Sequence, residues 1–187
     1  MTIRSATPGD AQRLLEIYAW YVEHTAVTFE LDVPSLEEFR GRMARTMERY
    51  PWLVAEEGGV VQGYAYAGVF KGRAAYDWAC EVTIYLDHDA RGHGLGRALY
   101  GALEAGLKAM GILNLYACIS WQDVEDDTLT QDSPRFHARL GYGEVGRFRR
   151  CGYKFGRWYD MIWMGKDIGP HDPDPAPVRW ANSDLSS

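Results

Sequence analysis

The chain has 187 residues, of which 47% are hydrophobic and 25% charged, enough for one globular domain with a substantial core. Its net charge of −6 argues against nucleic acid as a main partner, and it has no apolar run of the ~18–20 residues that a membrane span needs. Three cysteines without metal-ligand spacing, and an N-terminus Met-Thr-Ile-Arg with no apolar signal region, point to a reducing cytoplasm.

Thr2 to Ser5 reads as a first strand. Thr7-Pro8 follows as a helix cap with proline at the first helical position, and Leu14, Leu15, Ile17, Tyr18, Tyr21 and Val22 give that helix an apolar side. Ser35 to Glu38 is a capping box that opens a second helix carrying Phe39, Met43 and Met47. Trp52 to Glu56 and Val60 to Phe70 are strands joined at Glu57-Gly58-Gly59. Val82 to Leu86 alternates as a strand, and Leu95, Leu99, Leu103 and Leu107 form one stripe of a helix that stops at Gly111. Next come a strand over Leu113 to Ser120, a polar acidic loop from Trp121 to Gln131, and a short helix capped at Ser133-Pro134. Two last strands lie near Val145–Cys151 and Tyr159–Lys166. The alternation predicts a single α/β (α+β) domain over residues 1–167, with helices on both faces of its sheet. From Ile168 to Ser187, proline, aspartate and serine predict a flexible tail.

The most informative segment is Arg91-Gly92-His93-Gly94-Leu95-Gly96-Arg97, a glycine-rich turn between a strand and a helix N-terminus. Glycines there let backbone N–H groups approach an anion, and the helix end adds partial positive charge, so the fitting ligand is a phosphate or pyrophosphate. A P-loop is excluded because no Lys-Ser or Lys-Thr pair follows, and both possible dinucleotide frames fail at the third glycine, at Arg97 and Leu99. What remains is Arg-x-x-Gly-x-Gly over Arg91, Gly94 and Gly96. It resembles the acyl-CoA pyrophosphate loop of the GNAT N-acetyltransferase superfamily.

Residues upstream sharpen the resemblance. Pro51-Trp-Leu-Val-Ala-Glu56, Ala65-Tyr-Ala-Gly68, Ala75-Tyr-Asp-Trp78 and Glu81-x-Thr-x-Tyr85 lead straight into the loop. They are similar to the phosphinothricin N-acetyltransferase branch, over roughly residues 2 to 165 and most closely over 50 to 100. The resemblance implies the GNAT fold, a mixed six- to seven-stranded sheet whose two central strands splay apart after the glycine loop. It also implies acetyl-CoA as co-substrate, with no metal, and a homodimer.

Amine acetylation needs a base for the ammonium proton, a donor for the developing oxyanion, and a proton for the leaving thiolate. Glu81 shares one strand face with Thr83 and Tyr85; by position alone it reads equally as a solvated strand-edge carboxylate. His137 sits on the short helix with Phe136 and Leu140, and a lone histidine there also reads as a satisfied core residue. The resemblance assigns both a catalytic part, Glu81 as base and His137 in the family's His-x-x-Leu-Gly segment, and the two are expected to work together on the amine proton. It further implies that the backbone of Ile84, Tyr85 and Leu86 meets the thioester, that Arg91 to Arg97 (Arg91, Gly92, His93, Gly94, Leu95, Gly96 and Arg97) hold the pyrophosphate, and that Ser133 lies near the CoA arm. Cys80, Cys118 and Cys151 lie in predicted strands without a local histidine and read as inert core thiols, which favours direct transfer in a ternary complex over an acyl-cysteine.

For the acceptor, the resemblance points to Phe29, Lys71, Arg73 and Tyr76, and the two cations suit the acid group of a small amino-acid-like amine such as phosphinothricin, methionine sulfoximine or methionine sulfone. One stretch departs from the family. Asp123, Glu125, Asp126, Asp127 and Asp132 occupy a longer connection before His137, and Thr130 stands where the family has asparagine. Such a loop either selects a cationic amine or is a solvated charge run. A cationic amine or a peptide N-terminus as acceptor, and a non-catalytic acetyl-CoA-binding module, therefore stay open at this point.

Overall fold

The computed structural model describes residues 1–90 and 94–181. Its strands are β1 (Thr2–Ser5), β2 (Trp52–Glu57), β3 (Val60–Val69), β4 (Ala79–Leu86), β5 (Asn114–Trp121), β6 (Gly143–Lys154) and β7 (Arg157–Asp167). They form one sheet in the order β1-β2-β3-β4-β5-β7-β6, antiparallel throughout except where β4 meets β5. A parallel neighbour requires a crossover, and the glycine loop with its helix supplies it.

Helices α1 (Ala11–His24) and α2 (Leu36–Met47) cover one face, and α3 (Leu95–Met110) covers the other; α4 (Asp132–Arg139) precedes the last hairpin. The leucine stripe of α3 is fully buried with Val82, Leu115, Ala117 and Ile119, each buried leucine contributing about 1.5–3 kcal/mol. Gly111 ends α3 in the left-handed region at φ 94°, and its N–H reaches back to Leu107. Opposite, Leu14, Tyr18, Tyr21, Phe39 and Met43 pack on Trp52, Val54 and Tyr64.

Several local expectations are refined. Thr7-Pro8 opens a 3-10 turn, Pro8–Asp10, rather than α1 itself. The carboxylate of Asp10 accepts from the Thr7 N–H at 2.7 Å and hydroxyl at 2.9 Å. Ser35 caps α2 through the Glu38 N–H at 3.1 Å, while the Glu38 carboxylate pairs with Arg42. Ser133 does not cap its helix; it lies inside the first turn of α4, whose N-cap is Gln131.

The C-terminal segment departs most from expectation. Through Ala181 it is strapped to the body of the fold. Ile168, Val178 and Trp180 pack against the α3-side core, the Trp78 indole donates to the Ala176 carbonyl at 2.8 Å, and Trp180 meets the ring of Tyr50 beneath the Arg49 guanidinium. A helix leaves its last carbonyls without intrahelical donors. The strap supplies them, since the Arg179 N–H and guanidinium donate to Met110 and Ala109. Composition is a poor guide here because three apolar anchors suffice to seat an otherwise polar segment. Trp180→Ala is expected to lower stability by about 2 kcal/mol, below the ~3–5 kcal/mol of a fully buried tryptophan because the ring is only partly covered. Urea unfolding measures this, and an unchanged midpoint would show that the strap does not hold the domain.

Candidate active site

The two central strands stay in register for only three pairs, Ala79–Asn114, Cys80–Leu115 and Glu81–Tyr116. Above Glu81 they part. Each remains paired on its outer side, β4 with β3 as far as Leu86 and β5 with β7 as far as Trp121. The inner edges of the fork therefore carry backbone donors and acceptors with no strand opposite, which a buried ligand can use. A partly open pocket of about 460 Å³, solvent-open space included, passes through the gap. Thr83, Tyr85, Cys118 and Ser120 line it from the α1/α2 face, and Val82, Ile84, Tyr100 and His137 from the α3 face.

At the α3 end of the gap, Gly94 takes φ 78° as the N-cap of α3. The first N–H groups of the helix, from Leu95, Gly96 and Arg97, have no intrahelical partner and offer an anion site. Gly96 is glycine for a packing reason as well, because a Cβ there would lie 3.0 Å from the Phe136 ring of α4. Arg91, Gly92 and His93 lie outside the described residues.

His137 is buried, at 3% exposure. Its Nδ1 lies 2.8 Å from the Ser133 carbonyl, which can only accept, so Nδ1 carries the proton and Nε2 accepts from the Tyr100 hydroxyl at 3.0 Å. Burial lowers the His137 pKa and raises that of Tyr100 well above the ordinary phenol value, so both are neutral at pH 7. The hydroxyl of Ser133 stands 3.4 Å from the same Nδ1.

Glu81 occupies the last paired position below the fork, half-buried, across from Tyr116 and Gly68. Burial pushes its carboxyl above the usual range, and Lys71 opposes that. Glu81 and His137 belong to opposite faces of the sheet, and only His137 lines the cavity in the gap. They do not hydrogen-bond to one another, because both His137 nitrogens are engaged.

Lys71 lies over the rings of Phe70 and Trp163, at 5.0 and 5.9 Å. Phe70 stacks on Tyr116 at 4.5 Å and meets Tyr76 edge-on at 6.0 Å. An aromatic shelf thus joins Lys71 and Tyr76 to the neighbour of Glu81. Among the described residues no carboxylate lies within ion-pair distance of Lys71. Arg73 is exposed at the start of the turn Ala74–Tyr76. Phe29 stands further along, against Gly152 and Tyr159, beside Val27 of the cavity wall. Leu86 has its carbonyl taken by the Tyr21 hydroxyl at 2.6 Å.

Only Cys80 of the three thiols is a core residue; Cys118 and Cys151 are exposed, and Cys118 opens into the cavity. The β strand alternation that buries Cys80 turns Cys118 to the opposite face. Its surroundings still push the thiol up to about 12, so almost no thiolate forms at neutral pH.

The acidic loop is largely engaged by arginines. Asp123 pairs with Arg147, Glu125 with Arg135 at 2.9 Å, and Asp126 with Arg157. The Asp126 carboxylate also accepts from the N–H groups of Thr128 and Leu129, closing a turn.

An acetyltransferase (GNAT) domain model matches residues 3–163. The chain belongs to the GNAT acetyltransferases. It is 38% identical to a phosphinothricin N-acetyltransferase of Streptomyces viridochromogenes, over 95% of this chain and 92% of that one. It is 33% identical to an L-methionine sulfoximine/L-methionine sulfone acetyltransferase of Salmonella typhimurium, over 91% and 96%. Among solved structures, a GNAT superfamily phosphinothricin acetyltransferase of Sinorhizobium meliloti in complex with AcCoA superposes with TM-score 0.87 at 33% identity, over 97% of this chain and 96% of that one. This GNAT chain is accordingly an N-acetyltransferase of the phosphinothricin acetyltransferase-like branch, and its forked strands are the splay that the resemblance implied.

Sequence reasoning missed Tyr100 and the shelf formed by Phe70, Tyr116 and Trp163. Tyr100 meets His137 across 37 residues, and no spacing rule links an α3 core tyrosine to a later helix. Gly96→Ala is expected to destabilise the fold by about 1–3 kcal/mol through overpacking against Phe136, read by chemical denaturation. An unchanged midpoint would mean that α4 yields freely.

Proposed function

We propose that this GNAT chain transfers the acetyl group of acetyl-CoA directly to the primary amine of a small amino-acid-like acceptor of the phosphinothricin, methionine sulfoximine or methionine sulfone type. The observation that carries the reading is the juxtaposition, on one face of the fork, of a half-buried Glu81 and Lys71, a cation on an aromatic shelf with no carboxylate within ion-pair distance among the described residues. The relatives named above act on such amines.

In this reading Lys71, with Arg73, takes the acceptor's acid group, and Phe29 and Tyr76 border its side chain. Glu81 receives the ammonium proton, directly or through water, and its raised pKa suits exchange closer to neutral pH. The first-turn N–H groups of α3, with the glycine loop, hold the pyrophosphate. The amine nitrogen bonds to the thioester carbon while a main-chain N–H of the Ile84–Leu86 edge meets the oxygen, and the C–S bond then breaks. The nitrogen gives up its second proton as the amide forms, and that proton balances the thiolate; neutral His137, held by Ser133 and Tyr100, borders the gap on its α3 side. The elevated Cys118 thiol speaks for direct transfer rather than an acyl-cysteine.

The ion pairs of the acidic loop speak against its selecting a cationic amine, since Asp123, Glu125 and Asp126 face arginines and Asp132 shares Arg135. A homodimer fits the exposed Val145, Phe148, Tyr153 and Trp158 on the β6 edge hairpin, and free thiols fit a reducing cytoplasm.

Acetyl-CoA-dependent thiol release, with product masses, across phosphinothricin, methionine sulfone, methionine sulfoximine, polyamines and dipeptides tests the assignment. Turnover of the first three is expected; turnover confined to polyamines would overturn it. Lys71→Met is expected to raise the acceptor KM about 10- to 100-fold, as loss of one charge-assisted contact does, and to leave the KM for acetyl-CoA unchanged. The base must be deprotonated, so kcat/KM is expected to fall as pH drops through a pKa above the ordinary ~4.3 of glutamate, and Glu81→Gln is expected to abolish that limb. A limb that persists in Glu81→Gln would assign the base elsewhere.

A further inference from the structure

Lys154, at the end of β6, is 3% exposed. Lysines are seldom buried without a carboxylate. Here no carboxylate lies within ion-pair distance among the described residues, and the nearest acid that favours the charge, Glu30, is paired with Arg42. Instead the ammonium donates to two backbone carbonyls, Val22 at 2.7 Å and Thr28 at 3.0 Å. The first is one of the carbonyls that the end of α1 leaves without a helical donor, where a cation also meets the negative end of the helix dipole. The second lies six residues on, in the segment that carries Val27 and Phe29. One side chain therefore staples a helix end to the loop after it.

Apart from the Glu30–Arg42 ion pair at its far end, that loop has only neutral anchors otherwise. The Ala26 N–H donates to the Thr128 carbonyl at 2.9 Å, the Ser120 hydroxyl to the Val27 carbonyl at 3.3 Å, and the Thr28 hydroxyl meets that of Tyr18 at 2.9 Å. The Phe29 ring rests on Gly152, two residues before Lys154, so closely that a Cβ there would lie 2.3 Å from it. Val27 lines the cavity through the fork on the α1/α2 face, the face of Glu81 and Thr83.

We infer that Lys154 is a positioning residue for the acceptor, holding residues 25–30 as one wall of the acceptor side of the fork through the carbonyls of Val22 and Thr28. The inference rests on the reading of that face as the acceptor side. An apolar residue would fill the same volume with no charge to bury; what lysine adds is two fixed bonds to main chain that no apolar residue can make. Because the anion site at the start of α3 lies on the other face, loosening this wall affects one substrate and not the other.

The experiment pairs steady-state kinetics with hydrogen exchange on Lys154→Met, Lys154→Arg and the unaltered chain, using whichever amine the unaltered chain turns over. Lys154→Met is expected to raise the acceptor KM at least tenfold, to leave the acetyl-CoA KM within twofold, and to speed amide exchange over residues 23–30 alone. Lys154→Arg, which keeps charge and donors, is expected to recover most of the acceptor affinity. Equal rises in both KM values with exchange quickened across the whole sheet, or no change in either readout, would overturn the inference. If Lys154→Met does not fold, Gly152→Ala serves, since its methyl displaces Phe29 from the same wall; an unaltered acceptor KM there would also overturn it. If no small amino-acid-like amine is turned over, the substrate reading fails, while exchange over 23–30 still decides whether Lys154 holds the loop.

Discussion

The structure depends on one constraint, that β4 and β5 are parallel neighbours for three residue pairs and then separate. A parallel pair needs a long crossover, so the glycine loop and α3 must run between the two strands. That places the open N–H end of α3 at the mouth of the fork. Divergence leaves two strand edges without partners inside the sheet, and outer pairing to β3 and β7 keeps those edges rigid. A cavity, a helix end with open N–H groups and two strand edges with no strand opposite thus arise from one topological decision.

The fork also divides the chemistry by face. On the α3 side, His137 and Tyr100 are neutral and bonded to each other, because burial disfavours charge on both. On the α1/α2 side are ionisable groups, Glu81 with an elevated pKa and Lys71 on its aromatic shelf. A thioester and an amine entering from opposite faces would meet in the gap without either side having to rearrange the other's contacts.

Formal charge is a poor guide to the field around this site. The loop that looks most acidic in the sequence is threaded by Arg135, Arg147 and Arg157, and one of its carboxylates serves mainly to close a turn. Lys71 and Lys154, neither of which has a carboxylate within ion-pair distance among the described residues, stand out far less in the sequence, yet one lies over an aromatic shelf and the other is buried against two main-chain carbonyls. An ion pair between distant segments is a property of the packing, and no count of Asp and Glu along the chain anticipates it.

What the sequence determined by itself was everything carried by local periodicity and short-range chemistry: among the described residues the seven strands and four helices to within a few residues, the leucine stripe of α3, the left-handed stop at Gly111, and the face shared by Glu81, Thr83 and Tyr85. These follow from alternation, helical spacing and backbone freedom, all readable over a few residues. Tertiary structure alone decided the Tyr100–His137 bond, the shelf under Lys71, the exposure of Cys118, the docking of the tail through Trp180, and the burial of Lys154. Each of these joins residues far apart in the chain, or turns on which side of a strand meets solvent, and such contacts exist only once the sheet has set its strand order.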